Sequence, residues 1–256
     1  MIRLVVANQK GGVGKTTTAI NYASYLAKKE RRCLLIDCDC QGAISLLLRL
    51  TPKHVLGELV CHRATFSECV FELDEYLHVL CGDQQTVEAQ SALWNAGQDK
   101  STMEGFLAPA ESCYAATVID SGPSMEPIQA AALAYAHYVL IPVTMDLMSL
   151  HGASSVCETV RLLNKSGDRR IRIAAFLPCQ INQRLSITRL AHDGLRRISE
   201  AYEAPVLPGI HIDQAVHRGI LARKAVIEHE PDARVSRDYM LAFDQLTNLL
   251  ARYEDD

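Results

Sequence analysis

Residues 10–17 read Lys-Gly-Gly-Val-Gly-Lys-Thr-Thr and separate two segments of different periodicity. Residues 2–7 before them are apolar apart from one arginine, which is typical of a buried strand. From residue 15 onward, apolar side chains recur at the spacing of an amphipathic helix. A glycine-rich turn between a strand and a helix is the context in which this pattern forms a phosphate-binding loop. Residues 10–17 are termed the phosphate loop below.

The glycines of the phosphate loop allow its backbone to pass close to a bound polyphosphate. Gly11, Gly12 and Gly14 carry no side chain, and Val13 stands between them. The N–H groups of this stretch can therefore point inward at phosphate oxygens. The start of the following helix adds unpaired N–H groups and the positive end of its dipole. We expect these four residues to bind nucleotide through their backbone.

The side chains at the end of the phosphate loop suit ATP with Mg²⁺. Lys15 supplies a positive charge for the β- and γ-phosphates, and the hydroxyl of Thr16 is placed to ligate Mg²⁺. Thr17 completes the expected nucleotide-binding set. It also stands where a dinucleotide fingerprint needs a third glycine. The loop therefore predicts a nucleoside triphosphate rather than a dinucleotide.

Short strand-like runs alternate with helical patterns along the chain. Predicted strands cover 2–7, 33–36, 77–80, 115–120, 138–143, 171–177 and 205–207. Predicted helices cover 15–29, 84–95, 126–136, 148–165, 186–202, 213–222 and 233–252. Several strands are continuous apolar runs, as expected for strands covered on both faces. The pattern predicts an α/β fold: a doubly wound, mostly parallel sheet flanked by helices, with ligands at the carboxyl ends of its strands.

The composition favours one soluble globular domain spanning residues 1–256. Apolar residues make up 48% and charged residues 22% of the chain, and no linker, repeat or low-complexity segment divides it. No apolar run approaches the ~18 residues of a membrane span. The N-terminus lacks the pattern of a signal peptide, so we expect a cytoplasmic protein.

Nine cysteines raise the question of a metal or redox site. Their number is odd and no Cys-x-x-Cys pair occurs, which signals neither a disulfide framework nor a zinc site. Cys38 and Cys40 alternate with aspartates and could hold a soft metal. The alternative that we favour is a set of reduced thiols used as small apolar side chains.

Carboxylates follow two further predicted strands. Asp37 and Asp39 come directly after the strand at 33–36, and Asp120 ends the strand at 115–120. These positions lie at the ligand edge of a parallel sheet. Carboxylates there can hold Mg²⁺ or orient an attacking water, as phosphoryl transfer requires.

The beginning of the phosphate loop departs from the ordinary pattern. Gln9 stands where a glycine is usual, and Lys10 precedes the double glycine. This resembles the deviant Walker A motif of the ParA/MinD superfamily of P-loop ATPases, and in particular the small, Soj-like ParA branch without an N-terminal helix-turn-helix. The resemblance implies that Lys10 reaches across the interface of a homodimer to the ATP of the partner. ATP then joins two subunits, and loss of its γ-phosphate loosens them.

The same resemblance implies roles for the acidic positions. The segment after the strand at 33–36 is similar to the Asp-x-Asp-Pro-Gln-Gly motif, in which the second aspartate assists hydrolysis, so Asp39 is expected to be catalytic with Lys10 and Lys15. Asp37 then supports the metal or the loop. The segment 120–124 is similar to the Walker B motif Asp-x-Pro-Pro-Ser, which implies that Asp120 holds Mg²⁺ and that Gly122 lies near the γ-phosphate. Cys40 and Gly122 depart from these motifs, since each replaces a proline.

The family resemblance also implies where the base is held. It suggests the loops that follow the strands predicted at 171–177 and 205–207. The nucleotide-binding candidates in these loops are Pro178, Gln180 and Pro208.

Charge is distributed unevenly along the chain. The net charge is −4, but residues 151–224 hold twelve lysines and arginines against six aspartates and glutamates. This balance predicts a basic face. The candidate DNA-binding residues are Arg184, Arg189, Arg218, Arg223 and Lys224, drawn from a pool that also contains Arg196 and Arg197. A solvated helix face would explain any one of them equally well.

Three classes of function compete within this superfamily. The first is a ParA-type ATPase, whose ATP-bound dimer binds DNA non-specifically, associates with the nucleoid and is released when a ParB-like protein or a cargo adaptor stimulates hydrolysis. Its cargo is a plasmid, a chromosome or a protein assembly. The second is a MinD-like membrane switch, which the acidic C-terminal residues 254–256 disfavour, so we expect no membrane partner. The third is an iron–sulfur reductase. That class needs a cysteine after the Asp120 turn, and residues 121–130 of this chain contain none.

Overall fold

The protein is described here from a computed structural model that covers residues 1–95, 100–166, 170–182 and 188–255. One seven-stranded sheet has the order β3-β4-β2-β5-β1-β6-β7. The strands are β1 (Ile2–Val6), β2 (Cys33–Asp37), β3 (Val70–Glu72), β4 (Leu77–Leu80), β5 (Ala116–Asp120), β6 (Tyr138–Thr144) and β7 (Arg172–Cys179). All pairings are parallel except the antiparallel pairing of β3 with β4.

Helices of very different length connect the strands. They are α1 (Lys15–Lys28), α2 (Ala43–Leu48), α3 (Leu56–Val60), α4 (Phe66–Cys69), α5 (Thr86–Asn95), α6 (Lys100–Cys113), α7 (Pro127–Tyr135), α8 (Leu147–Ser166), α9 (Thr188–Ala201), α10 (Ala215–Leu221), α11 (Val226–His229) and α12 (Arg234–Asp255). The predicted α/β fold with a mostly parallel sheet is confirmed. The assignment of the whole chain to a single domain stays a prediction.

Both faces of the sheet are covered by apolar helix faces. Successive residues of β1 point to opposite sides, so Leu4 and Val6 belong to one apolar cluster and Val5 to the other. α1 and α12 contribute to the first cluster, and α7 and α8 to the second. This double cover explains why the central strands read as continuous apolar runs.

The carboxyl ends of β1, β2 and β5 lie side by side at the centre of the sheet. The register pairs Val6 of β1 with Asp120 of β5, and Asp120 in turn with Asp37 of β2. The phosphate loop follows β1 directly. The sheet topology therefore brings the loop and both acidic positions to one edge.

The prediction of a sheet strand at 205–207 is wrong. Val206 forms only an isolated parallel bridge to Phe176, and this short pairing is flanked by Pro205 and Pro208. Proline cannot donate to a strand ladder, so the pairing cannot extend. The seventh strand is instead β3, whose three residues are too few to show a periodicity.

The other predicted elements agree with the structure to within a few residues at their ends. Five helices were not predicted: α2, α3, α4, α6 and α11. Four of them have six residues or fewer. α6 has Pro109 in its interior, which obscures a helical pattern. None of the helices in the described ranges combines the length and the apolar composition needed to cross a membrane.

Candidate nucleotide-binding site

The phosphate loop has the backbone conformation that its glycines predict. Gly12 and Gly14 adopt φ values of +75° and +93°, which side chains of L-residues rarely tolerate. Gly11 and Gly12 are exposed, and a Cβ at either would meet nothing within 4 Å. Val13, between them and Gly14, is fully buried. The loop therefore presents an open backbone concavity at the start of α1, where phosphate binds well.

Lys15 is a buried cation beside this concavity. Lys15 is only 7% exposed, and its Nζ donates a hydrogen bond to the carbonyl oxygen of Lys10 at 3.0 Å. Burial lowers the pKa of Lys15, although the charges of Asp120 and Asp39 oppose this shift. A polyphosphate would stabilise the ammonium form in the same way.

Asp120 is the clearest sign that a cation belongs at this edge. Both of its carboxylate oxygens are buried, and neither accepts a hydrogen bond of normal geometry from the described residues. Burial raises the pKa of Asp120 well above its usual value, and Asp37 raises it further, while the neighbouring Thr16 hydroxyl opposes the shift. Buried carboxylates without partners are rare unless they bind an ion.

The residues present fit Mg²⁺ bound together with ATP. Mg²⁺ sites of this kind use one or two carboxylates, waters and phosphate oxygens rather than a complete protein cage. Thr16 and Asp120 supply such a partial set. Among the described residues, no group of three or more His, Cys, Asp or Glu side chains could hold a metal without further ligands. The chemistry of the site thus fits ATP and Mg²⁺, the cofactors that the sequence predicts.

Asp37 is committed to the backbone around it. One of its oxygens accepts from the N–H of Asp39 and the other from the N–H of Ile44, each at 3.0 Å. It is fully buried, and burial raises its pKa to about 7. Asp37 therefore fixes the turn that carries Asp39 and the start of α2. Its predicted role at the metal stays a prediction.

The turns after β2 and β5 lie against each other. Residues 38–42 are termed the Asp39 turn, and residues 121–124 the Gly122 turn. Asp39 accepts a hydrogen bond from the N–H of Gln41 at 3.0 Å. A Cβ at Gly122 would lie 3.7 Å from Oδ1 of Asp39. The two segments that the sequence assigns to hydrolysis and to the γ-phosphate are thus neighbours.

Lys10 forms an ion pair within its own chain. Its Nζ lies 2.7 Å from Oδ2 of Asp146, which follows β6, and 3.4 Å from Oγ1 of Thr144. Partial burial would raise the pKa of Asp146, but hydrogen bonds from Lys10 and Thr144 outweigh it and lower the pKa to about 2. The pair keeps Lys10 at the sheet edge formed by the carboxyl ends of β1, β2 and β5, which is termed the nucleotide edge below.

Sequence reasoning missed Asp146. A signal was available, since this aspartate follows a predicted strand just as Asp39 and Asp120 do.

The three candidate base-contacting residues differ in their placement. Pro178 lies inside β7 and not in the loop after it, because β7 continues to Cys179. Gln180 adopts a left-handed conformation with φ of +55°, and its Nε2 donates to the carbonyl oxygen of Gly12 at 2.6 Å. Pro208 is half-buried next to the isolated bridge. Gln180 therefore contacts the phosphate loop, and the base contacts stay predictions.

Comparison with known proteins agrees with this geometry. A family model described as "AAA domain" matches residues 1–173. The chromosome partitioning protein ParA of Myxococcus xanthus is 30% identical over 197 residues, which are 75% of this chain and 70% of that protein. This chain belongs to the ParA/MinD family of P-loop ATPases. Soj of Thermus thermophilus, a chromosome-partitioning ATPase, is 29% identical over 245 residues, or 86% of this chain and 96% of Soj.

Solved structures show the same fold. The apo structure of McdA from Cyanothece matches with a TM-score of 0.86 at 21% identity, covering 98% of this chain and 99% of McdA. As a ParA/MinD-family member, the chain is an ATPase of the positioning and partitioning class. The resemblance to the ParA/MinD superfamily carried by the phosphate loop is confirmed.

The predicted DNA-contacting residues of this family member divide into three groups. Arg184 lies outside the described residues, and the side chain of Arg189 in α9 is likewise not described. Arg218 in α10 forms two hydrogen bonds with Glu230, at 2.6 and 2.8 Å. Arg223 and Lys224 are both exposed.

Arg223 and Lys224 form a short basic turn. Within the described ranges, neither is paired with a carboxylate. Arg223 adopts a left-handed conformation with φ of +61°. Lys224 lines a small cleft with Thr17 and Asn21 of α1, the helix that starts at the phosphate loop. Residues 222–224 are termed the basic turn below.

All nine cysteines are free thiols. Cys38 is fully buried, and burial raises its pKa well above the usual value, a shift that the nearby aspartates increase. Such a thiol is poorly suited to bind a metal as thiolate. Six of the nine are buried, which agrees with reduced cysteines serving as small apolar side chains, whereas Cys40 and Cys61 are half-buried and Cys113 is exposed.

Proposed function

We propose that this chain is an ATP-dependent dimerising switch that binds DNA non-specifically in its ATP state and positions a cargo on it. Hydrolysis, stimulated by a ParB-like protein or a cargo adaptor, releases the dimer. The observation that carries the proposal is that Lys224 of the basic turn lines a cleft together with Thr17 and Asn21 of α1, the helix that begins at the phosphate loop. The relatives named as chromosome partitioning proteins support the same class of function.

The nucleotide edge supplies the parts of a phosphoryl-transfer site. The phosphate loop and Lys15 hold the polyphosphate, and Asp120 with Thr16 suits the metal. Asp39 lies in the turn that follows β2. It is the residue that orients a water for attack on the γ-phosphorus, with ADP as the leaving group. Slow hydrolysis by such a site acts as a timer for the ATP-bound state.

Lys10 is the residue that links nucleotide to dimerisation in this proposal. Its side chain is about one-third exposed, and its ammonium forms an ion pair with Asp146. A second cation near a polyphosphate is stabilised only when ATP is present. Exchange of Asp146 for the phosphates of the partner subunit would make ATP the bridge between two chains.

Contacts from α1 carry the state of the phosphate loop toward the basic turn. Asn21 donates to the carbonyl oxygen of Thr17 at 2.8 Å and accepts from the N–H of Ile227 at 3.2 Å. Lys28 donates to the carbonyl oxygen of Ile227 at 2.9 Å. Any shift of α1 on nucleotide binding would therefore be transmitted to the segment that follows the basic turn.

A pelleting experiment separates this function from its main alternative. The protein is mixed with ATP, ADP or no nucleotide, in one series with duplex DNA and in a parallel series with anionic liposomes. We expect retention on DNA with ATP alone and no retention on liposomes. ATP-dependent retention on liposomes would favour a MinD-like membrane switch, and retention on neither surface with ATP-dependent dimers would favour a protein cargo without DNA.

A further inference from the structure

Gln129 lies where the Asp39 turn and the Gly122 turn meet, and neither the phosphate loop nor the metal site accounts for it. It belongs to α7 and is only 3% exposed. Its Nε2 donates to the carbonyl oxygen of Cys38 at 3.0 Å, immediately before Asp39. Its Oε1 is buried and accepts no hydrogen bond from any residue that the structure describes. A buried polar side chain is thus half satisfied beside the site of hydrolysis.

Gly122 makes room for this side chain. A Cβ at position 122 would lie 2.9 Å from Nε2 of Gln129 and 3.6 Å from Cγ of Asp39. Real Cβ atoms essentially never come this close to another heavy atom. The family motif has a proline at this position, and a proline carries a Cβ. A Cβ at Gly122 would therefore require the amide of Gln129, the end of a flexible but buried side chain, to shift.

Oε1 of Gln129 needs a hydrogen-bond donor that the described residues do not supply. A buried acceptor without a partner is costly, so native proteins rarely retain one without a reason. A cavity of about 10 Å³ adjoins Gln129 and is also lined by Asn8, Ser121 and Gly122. Its volume is close to the smallest that holds one water molecule. Gln129 thus offers one further hydrogen-bond acceptor next to both turns.

We propose that Gln129 is a positioning residue for ATP hydrolysis. Its side chain couples the Asp39 turn to the Gly122 turn, so that both turns respond to ATP together. It acts through the carbonyl group of Cys38 on one side and through the space at Gly122 on the other. The inference rests on the proposed roles of Asp39 and Gly122.

The test compares Gln129→Leu with the unmodified chain, because leucine fills similar space without polar atoms. Hydrogen exchange is followed in residues 38–42 and 121–124, with and without Mg-ATP. We expect ATP to protect both turns in the unmodified chain and only the Gly122 turn in Gln129→Leu. We also expect kcat to fall roughly tenfold while KM for ATP changes less than twofold, since misplacement of a catalytic group affects chemistry more than binding.

A matched control removes a buried polar group from the same helix. Tyr135→Phe deletes a hydroxyl at the far end of α7, where Arg3 lies over the ring. We expect this variant to keep ATP protection in both turns. Equal protection of both turns and unchanged kcat in Gln129→Leu would overturn the coupling role.

A second pair of variants keeps the test decisive if Gln129→Leu fails to fold. Gly122→Ala places a methyl group against Gln129 and should lower the melting temperature and abolish protection of the Asp39 turn. Adding Gln129→Ala frees the space and should restore the melting temperature in part. Strictly additive losses in the double variant would contradict the dependence between the two positions.

The two levels of the proposal fail in different ways. If ATP protects neither turn in the unmodified chain, the proposed function fails and the inference fails with it. If ATP protects both turns in the unmodified chain and equally in Gln129→Leu, the function stands and only the role of Gln129 is rejected.

Discussion

The nucleotide edge and the basic turn carry charge in opposite ways. At the nucleotide edge, Lys15, Asp37 and Asp120 are buried. Burial lowers the pKa of Lys15 and raises those of the two aspartates, so it favours the neutral form of each group. At the basic turn, Arg223 and Lys224 are exposed to solvent. Buried charges need hydrogen-bond or charge partners to offset their desolvation, whereas exposed charges are solvated and are screened by salt. Substitutions at the two regions should therefore differ in size and in salt dependence.

The largest effect is expected from Lys15→Ala. This change removes the buried cation that we propose binds the phosphates, and we expect ATP affinity to fall about 100-fold, as for loss of a hydrogen-bonded charge. Titration with a fluorescent ATP analogue measures it. Lys29→Ala, an exposed lysine at the other end of α1, is the control and should bind as the unmodified chain does. Intact binding by Lys15→Ala would reject the assignment of the loop.

The basic turn should show a smaller effect with a strong salt dependence. Arg223→Glu combined with Lys224→Glu should weaken ATP-dependent DNA binding roughly tenfold and reduce the slope of log affinity against log salt by about 0.9 for each DNA phosphate that is no longer neutralised. Dimerisation with ATP should be unchanged. Arg252→Glu near the C-terminus controls for charge reversal. Unchanged DNA binding would move the DNA-binding surface elsewhere, to α9 or to residues 183–187.

Asp120→Asn should change stability in a direction opposite to its effect on ligand binding. The native pKa of Asp120 lies above its unfolded value of roughly 3.9, so the native state binds more protons in that range and loses stability as pH rises. The amide introduced by the substitution does not ionise. The melting temperature of the nucleotide-free variant should exceed that of the unmodified chain by roughly 2–6 °C at pH 7 and by less at pH 4.

Ligand binding provides the other half of that experiment. Mg-ATP should raise the melting temperature of the unmodified chain and have little effect on Asp120→Asn. Asp232→Asn, an exposed aspartate, should leave both the pH profile and the ligand effect unchanged. A variant less stable than the unmodified chain at pH 7 would show that Asp120 is compensated in the ligand-free protein.

The smallest effect is expected at Arg218, despite its place among the predicted DNA contacts. Glu230 already binds its guanidinium through two hydrogen bonds, so Arg218→Gln should reduce DNA affinity less than threefold. Glu230→Gln should instead raise DNA affinity slightly, because it releases Arg218. DNA binding measured by fluorescence anisotropy tests both. A large loss in Arg218→Gln would place Arg218 with the basic turn.

The same contrast explains what could be predicted from the sequence. The phosphate loop and the positions of Asp37, Asp39 and Asp120 follow from local patterns, since a glycine-rich turn or a strand end determines its own geometry. The edge strand β3 could not be predicted, because its three residues carry no period. The bridge at Val206 was predicted as a full strand because the effect of the flanking prolines on pairing depends on tertiary context.

Relations between distant segments were beyond sequence reasoning. The pairing of Lys10 with Asp146 joins residues 136 positions apart, and the contact of Gln129 with Cys38 joins residues 91 positions apart. Arg218 reads as a free cation in the sequence, and only the fold brings Glu230 beside it. Side-chain partners of this kind depend on how helices cross the sheet, which no local pattern encodes.

The most direct test of the central claim is sedimentation velocity of the protein with a fluorescently labelled duplex, in ATP, in ADP and without nucleotide. Asp39→Ala is included because slowed hydrolysis should prolong the ATP-bound state. The account predicts a dimer that carries the duplex in ATP, most completely in Asp39→Ala, and a monomer that leaves the duplex free in the other two conditions. A monomer in ATP, or a duplex bound equally in all three conditions, would contradict it.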